Sequence, residues 1–91
     1  MSVTPSGELD LVTAPGLADV LRHAADGTVA EVRVVLSEVT FMDSTGLDAL
    51  LCGWQAALAA GVRFQVTDAS PAVRRVLTVT GTDRLFCRGE A

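Results

Sequence analysis

Short apolar runs and helical stripes alternate along the whole chain. Val32, Val34, Val35 and Leu36 crowd together, apolar on both sides. That predicts a central parallel strand covered on each face. Val39-Thr40-Phe41-Met42 is a second β-favouring run, ending at Asp43. Val62, Phe64 and Val66 alternate with Arg63, Gln65 and Thr67, the pattern of a half-covered strand. Between these runs the period changes to three and four. Leu17, Val20, Leu21 and Ala24 predict a helix that starts at Thr13 as N-cap, has Pro15 in its first turn and stops at Gly27. Leu47, Leu50, Leu51, Trp54 and Leu58 mark a second helix, stopped by Ala59-Ala60-Gly61. Val73, Val76 and Leu77 mark a third, with Ser70 as N-cap, Pro71 behind it and Gly81 at its end. Leu85-Phe86-Cys87 predicts a last short strand before a polar tail. Near the start, Pro5 and Gly7 interrupt Val3 to Leu11, so Gly7-Glu8-Leu9-Asp10 reads as a turn or the end of a short edge strand. Strands and helices joined by short connections predict an α/β layered fold, in one domain of residues 1–91.

Composition removes several function classes. The net charge is −4, and every cation apart from the single histidine is an arginine, with no lysine in the chain. The arginines are scattered, with Arg74-Arg75 the one adjacent pair, so nucleic-acid binding is not expected. No apolar run reaches the roughly 20 residues needed to span a bilayer. Met1 to Pro5 shows no signal-peptide pattern, so direct membrane insertion is not expected and a cytoplasmic location is. Cys52 and Cys87 stand outside any metal or redox spacing, which predicts buried or half-buried free thiols.

The chemistry concentrates where the second β-favouring run meets the second helix, at Asp43-Ser44-Thr45-Gly46-Leu47. Asp43 or Ser44 can cap the helix by accepting a first-turn N–H, and Gly46 lets another backbone or a partner come close. A hydrolase would need a base beside its serine, yet His23, the one histidine, sits mid-helix elsewhere. The serine is in no G-x-S-x-G elbow. Clustered metal ligands and a lysine-bearing phosphate loop are both absent from the sequence. No catalytic residue, metal or cofactor is therefore expected. Asp43 as a phosphoryl acceptor of the receiver type would call for an acidic pair and a lysine. Two readings stay open from the residues alone: a plain helix cap, or a serine that accepts a phosphate at a helix N-terminus.

This stretch resembles the STAS domains of bacterial anti-sigma factor antagonists. The matching pieces are Gly7-Glu8-Leu9-Asp10, Thr13-Ala14-Pro15 with Leu17, and Val39-Thr40-Phe41-Met42-Asp43-Ser44-Thr45-Gly46-Leu47. Further on they are Gly61-Val62-Arg63-Phe64, Val73 to Gly81, and Phe86. The resemblance implies a mixed, mostly parallel sheet with helices packed on it, a short N-terminal strand and a truncated C-terminal helix. It makes Ser44 the phosphorylated residue and places Asp10, Asp43, Thr45, Gly46 and Leu47 in or beside the partner-docking surface. The implied partner is an anti-sigma factor with serine kinase activity and a histidine-kinase-like ATPase fold. A phosphatase resets the switch, and pairing into a homodimer through an open sheet edge is a further expectation. The chain departs from the family at Val35, where members often carry Asp or Asn. The alternative is a STAS subunit of a lipid-transport ATPase or stress-signalling complex that uses the same helix as a fixed interface.

Overall fold

Period-two burial along one strand organises the fold. In the computed structural model, which describes residues 1–87, β3 (Glu31–Val35) lies between β1 (Ser2–Val3) and β5 (Arg63–Thr67), and both pairings are parallel. Val32 and Val34 are fully buried on one face. The other face carries Glu31, Arg33 and Val35, none of them buried. This corrects the expectation of a strand covered on both sides: one face is fully buried and the other is exposed or half-buried. β5 behaves as its alternation predicts, with Phe64 and Val66 inward.

A second ladder, also parallel, pairs β2 (Gly7–Leu9) with β4 (Val39–Met42), in the register Leu9↔Met42. All pairings among the described residues are thus parallel, in two ladders. The four helices are α1 (Ala14–Ala24), α2 (Ser44–Ala60), α3 (Pro71–Thr80) and α4 (Asp83–Cys87). Gly61 and Gly81 end α2 and α3 in the left-handed conformation, with φ of 72° and 75°, which glycine adopts without the Cβ clash. Ser70 caps α3: its Oγ accepts from Val73 N at 3.4 Å and donates to Val39 O at 2.6 Å.

Three further expectations are corrected. Residues Leu85–Cys87 belong to α4, not to a strand. Three apolar residues in a row carry no period, and the helical turn sends Phe86 into the core against Phe64, ring centroids 6.0 Å apart. Thr13 makes no side-chain cap on α1. Its hydroxyl turns back instead, accepting from Asp10 N and donating to Glu8 O. Finally, α2 buries Gly46, Leu47, Ala49, Leu50, Gly53 and Ala57, while Leu51 and Trp54 are half-buried and Leu58 is 67% exposed. The small residues decide this. A Cβ on Gly53 would lie 2.7 Å from Leu21 Cβ and 3.1 Å from Phe64 Cε2, so α1 and β5 close onto the glycine side of the helix. Cys52 is a half-buried free thiol. The expectations for the Cys87 thiol and the tail after it lie outside the described residues.

Candidate docking and modification site

An aspartate follows each strand of the smaller ladder: Asp10 opens the turn that leads to α1, and Asp43 caps α2. Because Leu9 is in register with Met42, the next residues, Asp10 and Asp43, come out side by side at the carboxyl end of a parallel pair. Asp43 Oδ1 accepts from Thr45 N at 2.9 Å and Gly46 N at 3.2 Å, and from the Thr45 hydroxyl. Asp10 Oδ1 accepts from Val12 N at 3.0 Å and Thr13 N at 3.2 Å. The turns are tied together by Asp43 N donating to Leu9 O at 3.3 Å. The Thr45 hydroxyl, with the Gly46 and Thr45 amides, holds the Asp43 carboxyl below its ordinary value, against the opposing effect of desolvation.

The cap is therefore Asp43, which leaves Ser44 spare. Ser44 is the first residue of α2, is exposed, and its hydroxyl makes no hydrogen bond among the described residues. Thr45 is half-buried, its hydroxyl committed to Asp43. Gly46 and Leu47 are buried. A Cβ at Gly46 would stand 2.7 Å from Leu9 O and 2.7 Å from Met42 Cγ. Gly46 thus lets the Leu9 backbone come close, and with Leu47 it lies beneath the corner, beside its exposed surface.

The exposed part of this corner is apolar and belongs to no motif in the sequence. Leu11 and Val12 stand 73% and 84% exposed in the Asp10 turn. A groove of 280 Å³ runs from Leu11 between α1 and α2, lined also by Pro15, Thr45, Asp48 and Cys52. Two adjacent apolar residues between a strand end and a helix start were the available signal. His23 lies in the last turn of α1, its Nδ1 2.7 Å from Asp19 O. Among the described residues there is no cluster of metal-ligating side chains, and no helix is long and apolar enough to cross a membrane.

The family profile described as "Mlab, STAS domain" matches residues 1–87. The chain is a STAS domain of the anti-sigma factor antagonist family. It is 30% identical over 81 residues to the anti-sigma-B factor antagonist of Bacillus subtilis (strain 168), covering 89% of this chain and 73% of that protein. Among solved structures, an anti-sigma factor antagonist from Mycobacterium paratuberculosis superposes with a TM-score of 0.82 at 34% identity. That match covers 93% of this STAS domain and 72% of the other chain. The anti-sigma factor antagonist SpoIIAA in its unphosphorylated form gives 0.80 at 24% identity, over 93% and 75%, and attests the shared fold.

Proposed function

We propose that this STAS domain is a phosphorylation-switched antagonist that binds a kinase anti-sigma factor through the Asp10–Asp43 corner while Ser44 is unmodified. The observation that carries the reading is the division of labour at the start of α2: Asp43 caps the helix, and the Ser44 hydroxyl beside it is exposed and unbonded. Names of relatives support the antagonist role, and one of them was solved in a form named as unphosphorylated.

The chemistry follows from the corner's charges. Leu11 and Val12 offer an apolar anchor, with Asp10 in the same turn, Asp43 in the adjoining turn and Asp48 along the same groove as Leu11. A partner of basic and apolar surface suits it. The kinase transfers the γ-phosphoryl group of ATP to Ser44 Oγ: the new O–P bond forms, the bond to the bridging oxygen of ADP breaks, and the serine proton leaves. The phosphate adds about −1.5 to −2 charges. The N-terminus of α2 tolerates it, since partial positive charge gathers there. Docking does not tolerate it, because the new charge stands beside Asp43 and four residues before Asp48, in a surface that must shed water to bind. A phosphatase restores the hydroxyl by transferring the group to water. The domain itself performs no catalysis and works in the cytoplasm.

Pull-down with the organism's own anti-sigma kinases, with and without ATP, tests this. Wild-type protein is expected to be released by ATP and to gain one phosphoryl group by mass spectrometry. Ser44→Ala should bind and stay bound; Ser44→Asp should fold and bind weakly. Since Asp43 is the cap, Ser44→Ala should change stability by less than about 0.5 kcal/mol, as surface substitutions do. Release of Ser44→Ala by ATP would move the acceptor elsewhere. A stable complex indifferent to ATP and to both variants would make this helix a fixed interface instead.

A further inference from the structure

A second cleft lies away from the docking corner. It has a volume of 780 Å³ and is lined by Arg33, Gln65 and Thr67 of the sheet, by Asp68, by Arg74 of α3 and by Asp83 of α4. None of its lining residues belongs to the corner described above. Phe64, one position before Gln65, faces the other side, against Gly53 of α2 and Phe86 of α4.

One atom in this cleft is out of place. Thr67 Oγ1 is the buried side-chain oxygen without a hydrogen-bond partner among the described residues. Its cross-strand neighbour on β3 is Val35, whose side chain has no acceptor to give. Buried polar groups are nearly always paired, so a hydroxyl in this state is a donor waiting for an acceptor. It stands at the carboxyl end of β5, where open parallel sheets hold their ligands. Two guanidinium groups flank the same space. Arg74 is held in place by a bond from Nη2 to Ala69 O at 3.2 Å, which leaves its other N–H groups free to donate. Arg33 lies opposite Gln65 in the ladder, with an exposed ion pair to Glu31 at 3.6 Å. Asp68 and Asp83 set carboxylates beside them, so a bare anion would meet repulsion as well as attraction.

We propose that this cleft binds a small molecule carrying an oxyanion flanked by hydroxyl groups. The oxyanion accepts from Arg33, Arg74 and the Thr67 hydroxyl, and the ligand's hydroxyls donate to Asp68 and Asp83. A phosphate monoester of a polyol and a hydroxylated carboxylic acid share this chemistry. The site is independent of the Ser44 switch.

The test is a titration of the ¹⁵N-labelled protein followed by amide shifts, with glycerol 3-phosphate in one arm and gluconate in the other. Inorganic phosphate and glycerol serve as controls. Saturable shifts confined to residues 63–83 and the neighbouring part of β3 are expected in at least one arm, and the arm that binds names the source. Arg74→Ala and Thr67→Val should each weaken that binding by about tenfold, the order expected for a lost bond to a charged group. Thr67→Val without ligand should melt no lower than wild type, because the hydroxyl it removes is unbonded. Ser44→Ala should titrate like wild type. The proposal is overturned by no saturable shift at millimolar ligand, by shifts that ignore both cleft variants, or by phosphate alone binding as tightly as either probe, an adventitious ion only.

Discussion

Replacing Gly46 by alanine separates a packing glycine from a surface one by the sign of its effect. In the first turn of an open helix, Gly→Ala raises stability by about 0.5–1 kcal/mol, since alanine loses less backbone freedom on folding. At Gly46 the new Cβ would meet Leu9 O at 2.7 Å, Met42 Cγ at 2.7 Å and Leu9 Cβ at 2.9 Å. The methionine can swing aside. The carbonyl cannot, because it accepts from Asp43 N at 3.3 Å and belongs to the strand β2. Overfilling a packed site costs about 1–3 kcal/mol, and a backbone clash puts Gly46 in the upper part of that range. Subtracting the helix-propensity gain leaves a net loss of about 1–2 kcal/mol. For a domain of this size that lowers the melting temperature by roughly 5–15 °C. Gly16 is the internal control: it is exposed in α1, and a Cβ there meets nothing within 4 Å. Gly16→Ala should raise the melting temperature, by roughly 2–8 °C. Thermal unfolding followed by circular dichroism reads both. A Gly46→Ala protein as stable as wild type, or more so, would refute the close contact between the two strand-to-helix turns.

Two other perturbations test the same architecture. The Asp43 carboxyl is held below its ordinary value, first by the Thr45 hydroxyl, so its charged form stabilises the fold above the unfolded-state value. That contribution is lost as pH falls through the depressed folded-state value. The melting difference between wild type and Asp43→Asn should therefore be widest near neutral pH and shrink as pH falls below about 4; a difference constant with pH would show that the carboxylate's charge is not what the cap uses. Ser70→Ala removes both the α3 cap and the bond to Val39 O, and urea unfolding should show a loss of about 0.5–2 kcal/mol. An unchanged midpoint would mean that Pro71 alone sets the start of that helix.

The start of α2 and the start and stop of α3 were legible in the sequence because their signals are local. Asp43 or Ser44 and then Gly61 bracket α2, Ser70-Pro71 and Gly81 bracket α3, and the alternation from Val62 to Thr67 gives β5. Each such signal acts within four or five residues, so the chain needs no knowledge of its partners to carry it. The Asp43-Ser44-Thr45 site was legible for the same reason, down to the two candidates for its cap. Which face of α2 turns inward was not. The leucine stripe pointed through Leu51, Trp54 and Leu58, but the shortest approach of α1 and β5 runs over Gly53, and only their arrival in space selects that side. Gly46 shows the same limit: as a residue it is compatible with a surface or a seam, and Leu9, thirty-seven positions away in sequence, makes it a seam. The pairing of Asp10 with Asp43, the exposure of Leu11 and Val12, and the unpartnered hydroxyl of Thr67 beside Val35 are likewise products of strand register. Register is a relation between distant segments, fixed by how their apolar faces share one core, so the tertiary structure alone could decide it.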